Sequence, residues 1–118
     1  MLNQSTGLDL TFQALADPAR RQMLERLARG PAAVSELALP LTMSLPAVLQ
    51  HLTVLETAGL VTSAKTGRVR TCQIAGPALA EAQGWLDARR AEWEARFDRL
   101  EAYLNELKAE LKEGDSNG

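Results

Sequence analysis

Ser44-Leu45-Pro46-Ala47-Val48-Leu49-Gln50-His51-Leu52-Thr53-Val54-Leu55-Glu56-Thr57-Ala58-Gly59 reads as a helix with both ends marked. Ser44 can accept a hydrogen bond from the first unpaired backbone N–H groups, Pro46 stands where a missing N–H costs nothing, and Gly59 supplies a C-terminal stop. At 100° per residue, Leu45, Leu52, Leu55 and Gly59 fall within about 60° of Val48 and form one apolar stripe for the core. Pro46, Ala47, Gln50, Thr53, Val54 and Thr57 take the opposite side. That face is small, uncharged and able to hydrogen-bond. Gln pairs with the N6/N7 edge of adenine, and Ala, Pro and Thr carbons can meet a thymine methyl, so the outward residues match a reader of the major groove.

Upstream, Ser35-Glu36-Leu37-Ala38-Leu39 reads as a short helix opened by Ser35 and closed by Pro40, with Thr42-Met43 in the turn before Ser44. Two helices joined by so short a connection, the second with a polar outward face, predict a helix-turn-helix over 35–59. Downstream, Leu60-Val61-Thr62-Ser63-Ala64-Lys65 and Val69-Arg70-Thr71-Cys72-Gln73-Ile74 alternate in character around Thr66-Gly67-Arg68, the pattern of a β-hairpin within 60–75. A hairpin directly after a recognition-type helix is a wing. Lys65, Arg68 and Arg70 cluster on it, and the chain has no acid between Glu56 and Glu81, so the 65–70 segment suits phosphate contact.

Further out, residues 1–7 show no periodicity and read as a frayed lead-in, and Leu8, Phe12, Leu15 and Ala16 mark a first helix. Asp17-Pro18 caps and starts a second, with Met23, Leu24 and Leu27 as its buried stripe and Gly30-Pro31 as its end. Arg20 and Arg21 lie in its first turn, where the helix dipole disfavours cations; an ordinary solvated pair is the favoured reading, with a phosphate or an acidic partner as the alternative.

Pro77 opens a helix expected to run to Leu111. Its apolar positions Leu86, Trp93, Phe97, Leu100, Leu104, Leu107 and Leu111 advance in steps of three, four and seven, a near-heptad seam that calls for another helix. A helix of about 35 residues spans about 50 Å, more than the compact part covers, so pairing with a second copy is expected. Glu92 and Arg96 stand i,i+4 in the favourable order. Trp85, Trp93 and Tyr103 at helical spacing suit packing better than a ligand pocket. Residues 113–118 are expected to be a disordered tail, leaving one domain over 1–112.

The chain has 118 residues, 46% of them apolar and 24% charged, with no long apolar run. This describes one soluble domain with a modest core and no membrane span. No export signal is visible at the N-terminus, and the single cysteine, Cys72, fits a reducing compartment, so a cytoplasmic location is expected. The net charge of −2 hides a split. Asp17 to Ala75 carries seven Lys/Arg against four acids, whereas Gly76 to the end carries six against ten, so only the middle is suited to approach phosphates.

The run Ala14-Leu15-Ala16-Asp17-Pro18-Ala19-Arg20-Arg21, then Val34-Ser35-Glu36-Leu37, then Met43 to Val48 through His51-Leu52 and Leu55 to Ala58-Gly59-Leu60-Val61 resembles the ArsR/SmtB-type regulators of transcription. With the Gly67-Arg68 wing and the terminal helix, the match extends to about residue 110. The resemblance implies a mainly α fold with a small β-hairpin, a winged helix-turn-helix with a long C-terminal dimerisation helix. It implies a homodimeric repressor that binds double-stranded DNA at a pseudo-palindromic operator and often releases it on meeting a small-molecule inducer. By position, Ser44, Pro46, Ala47, Gln50 and His51 would be recognition-helix contacts, joined by Thr53, with Lys65, Arg68 and Arg70 on the wing. Phe12, Leu86, Trp93, Phe97, Leu100, Leu104 and Leu107 would form the dimer interface.

Two departures stand out. Leu45 and Leu49 occupy positions where the family commonly has polar residues. The Cys-rich run of the metal-sensing members is absent from 35–39, as are paired His and acidic ligands on the last helix. With one His and one Cys, a four-ligand zinc site cannot be built within a subunit, so no metal or other cofactor is expected. An enzyme is disfavoured too, because no nucleophile motif accompanies His51 and no Gly-rich phosphate loop occurs. The remaining alternative is a winged-helix protein-interaction module that has lost DNA binding.

Overall fold

The computed structural model describes residues 3–117, with side chains over 7–114. Five helices and three strands follow in the order α1 (Asn3–Leu15), α2 (Pro18–Leu27), β1 (Ala32–Ala33), α3 (Val34–Ala38), α4 (Leu45–Thr57), β2 (Val61–Thr66), β3 (Val69–Ile74) and α5 (Gly76–Asn117). The fold is mainly helical with a three-stranded antiparallel sheet in the order β1-β3-β2. The chain divides after Gln83 into two compact units, so α5 begins in the first and makes up the second.

Several boundaries differ from expectation. α1 starts at Asn3, within the segment expected to be frayed, and α5 continues through 113–117, expected to be a disordered tail. Met1, Leu2 and Gly118 lie outside the described residues. α3 begins at Val34 behind Ala33 as N-cap, not at Ser35; the Glu36 carboxylate accepts from the Ala33 N–H at 3.1 Å and does the capping instead. β1 was not expected. Its two alanines carry no alternation of their own and become a strand only by pairing with Cys72 and Thr71.

In the first unit the core forms where α2, α3 and α4 meet the sheet. Met23, Leu24 and Leu27 from α2, Leu37 from α3, and Val48, Leu52 and Leu55 from α4 are buried with Leu60, Val61 and Cys72. Leu45 does not join the stripe predicted for it and is 54% exposed. It is the first residue of α4, and one turn before the buried face the neighbouring chain has not yet closed over it. Burial pushes the Cys72 thiol up in pKa, which makes it a poor nucleophile, and the side chain serves as a small member of the core.

Asp17 caps α2 by accepting from the backbone N–H groups of Ala19 (2.8 Å) and Arg20 (3.2 Å). The Arg20 N–H bond, foremost, holds the carboxyl below its ordinary pKa. Because the folded value is the lower one, this stabilisation is full above the unfolded pKa and fades as pH falls through the folded value. Asp17→Ala is therefore expected to lower stability by about 1 kcal/mol at neutral pH, measured by urea denaturation. The difference from the parent protein should shrink below pH 4, the region of the ordinary carboxyl value of 3.8.

Of the first-turn arginines of α2, Arg21 is exposed, as the solvated reading expects, whereas Arg20 is half-buried; both also bond to backbone carbonyls, and Arg20 lies 4.0 Å from Asp17 Oδ2. Arg20 donates through Nε to the Ala14 carbonyl (2.7 Å) and through Nη2 to that of Gln13 (3.1 Å), and Arg21 donates through Nη1 to the Leu15 carbonyl (2.7 Å). These carbonyls belong to the last turn of α1, where backbone acceptors lack partners within the helix; that of Gln13 also takes the Ala16 N–H at 3.2 Å. Two cations unfavourable at one helix's N-terminus thus become favourable at the preceding helix's C-terminus.

Candidate nucleic-acid interface

α4 is set by its caps. Ser44 Oγ accepts from the Ala47 N–H at 3.3 Å. At the other end, Gly59 (φ 78°) makes the left-handed turn that lets its N–H reach the Glu56 carbonyl and the Leu60 N–H reach that of Leu55, a Schellman closure. With Val48, Leu52 and Leu55 turned inward, Pro46, Gln50 and Thr53 are exposed and Ala47 is half-buried, as the helical spacing predicts. Thr53 spends its hydroxyl proton on the Leu49 carbonyl (3.0 Å), so toward a ligand it offers its methyl and an oxygen lone pair.

His51, which the resemblance places among the recognition-helix contacts, has an internal partner. It is half-buried and its Nδ1 lies 3.1 Å from Arg20 Nη1. Arginine only donates, so this contact needs the Nδ1 lone pair of a neutral imidazole. The ring anchors α4 to α2, and its other edge is what remains for an external contact.

The wing is a regular hairpin, β2 pairing with β3 from Val61↔Ile74 to Thr66↔Val69. Thr66 therefore belongs to the strand, and the turn is Gly67-Arg68 alone. Gly67 has φ 63° while among the described residues no non-glycine residue has positive φ, the arrangement of a two-residue turn that puts its left-handed residue first. Lys65 and Arg68 are exposed, and among the described residues neither has a carboxylate partner.

Arg70, expected to face phosphate with them, does something else. Its Nη2 pairs with Glu56 Oε1 and its Nε donates to Ser63 Oγ at 3.0 Å, while Ser63 Oγ donates to the same Glu56 oxygen at 2.9 Å. This triangle ties the last turn of α4 to both wing strands and fixes the wing's angle to the helix. Glu56 thereby neutralises the third wing cation. Sequence reasoning missed it because the three residues lie 7 and 14 positions apart along the chain; the signal was Glu56 itself, the last acid before an acid-free stretch.

In the second unit, α5 exposes Leu86, Trp93, Phe97, Leu100, Leu104 and Leu107, each at least a third accessible. They lie within an arc of about 80° at 100° per residue. Phe12, in the first unit, is half-buried. Glu92 does not pair with Arg96 as its spacing suggested. It takes Arg89 at 2.9 Å, and the Arg96 guanidinium sits over the Trp93 ring at 5.4 Å, which keeps both cations beside the seam. No described group of His, Cys, Asp and Glu could hold a metal ion, and no described helix is long and apolar enough to cross a membrane.

Helix-turn-helix, wing and basic hairpin tip together define a winged helix-turn-helix. Residues 17–63 match the model of the bacterial regulatory protein arsR family. The chain is 51% identical over 79 residues to the HTH-type transcriptional regulator Rv2034 of Mycobacterium tuberculosis, covering 67% of this chain and 74% of that one. It is also similar to the crystal structure of the ArsR family transcriptional regulator RHA00566, at 48% identity and a TM-score of 0.72, with 75% of this chain and 97% of that chain covered. A second similar structure, at 29% identity and a TM-score of 0.59, covers 73% of this chain and 80% of the other; it is a homodimeric winged helix-turn-helix DNA-binding domain from Mycobacterium bovis. This chain belongs to the ArsR family of transcriptional regulators and is not an enzyme.

Proposed function

We propose that the protein is a homodimeric repressor that binds a pseudo-palindromic operator, with α4 of each copy in successive major grooves and the wings on flanking phosphates. The observation that carries this reading is the outward face of α4, on which Pro46, Ala47, Gln50 and Thr53 stand beside a wing whose Lys65 and Arg68 have no carboxylate partner among the described residues. Gln50 and Ala47 supply base-edge contacts. Ser44, already bonded to its own helix, contributes mainly the exposed N-terminus of α4, and Arg70 contributes wing geometry more than charge. The α5 seam, with Phe12, joins the two copies, and the Mycobacterium bovis homodimer supports that assembly. A repressor works where the chromosome is, in the cytoplasm, and an inducer would act by biasing the dimer between binding and non-binding states.

Two substitutions test the division of labour in a fluorescence-anisotropy titration on promoter DNA. Gln50→Ala should cost about 1–3 kcal/mol at one base pair of each half-site and relax preference there. Arg68→Ala should weaken binding to every sequence alike and reduce the salt slope by about 1 for each wing. A wild-type protein that prefers no sequence at low salt would instead favour a protein-interaction module.

A further inference from the structure

We propose that Leu45 and Leu49 of α4, with Val69 of the wing, read thymine through its C5 methyl group. This rests on the DNA-binding reading above and adds a specificity to it. Leu45 is 54% exposed and Val69 is 52% exposed, while Leu49, one turn along from Leu45, is half-buried. Singly exposed apolar residues are ordinary on any surface. These three are not scattered, because they line one cleft of about 730 Å³ between the start of α4 and the wing.

The charges around the cleft say what enters it. Lys65 and Arg68 stand on its wing side, and none of its lining residues is acidic, so the occupant is anionic as well as apolar. A duplex meets both demands: phosphates for the rim, and for the floor the one apolar group that its major groove displays, the thymine methyl. The position agrees, since the first residues of a recognition helix are those that approach base edges. Gln50, the next residue after Leu49, offers its amide to an adenine, so the favoured half-site places thymine beside an adenine.

Full-length protein used to enrich duplexes from a random-sequence pool should recover half-sites with a fixed thymine. Replacing that thymine by deoxyuridine removes the methyl and nothing else, and should weaken binding about fourfold for each methyl taken out of the cleft. Leu45→Ser and Leu49→Ser should bind the thymine and deoxyuridine duplexes alike. An enriched duplex that loses no affinity at any deoxyuridine position would overturn the inference and leave DNA binding standing. Failure to enrich any sequence would overturn both.

Discussion

Leu100→Asp and Leu104→Asp should each yield monomers in sedimentation velocity and abolish operator binding at concentrations that saturate the parent protein. Both leucines lie on the accessible stripe of α5, about half exposed in the single chain. In a two-fold interface one substitution introduces two carboxylates, each of which would have to be buried without a partner at a cost of about 3–5 kcal/mol. Losing the dimer also unlinks the two reading heads. The second half-site then has to be bound from free solution, not at the high local concentration a tether provides, a loss of about 10²–10⁴ in affinity. Glu106→Ala, on the opposite side of the same helix, should leave assembly unchanged. A parent protein that is monomeric at micromolar concentration would refute the paired-helix assembly.

The parts of this fold legible in the sequence are those whose cause is local. Asp17-Pro18 and Ser44 with Pro46 mark helix starts because a cap is satisfied within three residues, and Gly59 and Gly67 mark turns because the left-handed region is costly for other residues. The α5 helix and its apolar stripe were legible because the period repeats over many turns. What was not legible depends on residues far apart in the chain. β1 exists because β3 returns to pair with it, Arg20 and Arg21 are held by the end of a different helix, and Arg70 is claimed by Glu56 and Ser63 across the hairpin. The same limit applied at the site. Spacing separated the two faces of α4 correctly from Val48 to Thr57, yet could not tell that Leu45 and Gly59 stand beyond the cover of the core, or that His51 turns to Arg20.

Leu52→Ala should be the most damaging substitution for stability and nearly silent for recognition. Leu52 is fully buried on the inward face of α4, within the cluster that includes Leu24, Leu55 and Cys72. Truncation removes three carbons' worth of transfer free energy and leaves a cavity that the surrounding helices and sheet can close only partly, which together cost about 2–5 kcal/mol. For a chain whose first unit holds the whole of this core, that is a large fraction of a typical stability of about 5–15 kcal/mol. Chemical denaturation should show the midpoint fall with its slope unchanged. Well below the new transition, operator affinity should match that of the parent, because Pro46, Gln50 and Thr53 point the other way and the Glu56-Ser63-Arg70 triangle still sets the wing. Gln50→Ala, two positions earlier, should show the reverse, a lost base preference with an unmoved midpoint. A Leu52→Ala protein that loses base preference while remaining folded would mean that the inner face of α4 takes part in reading DNA, against the separation of faces on which the assignment of Gln50 depends.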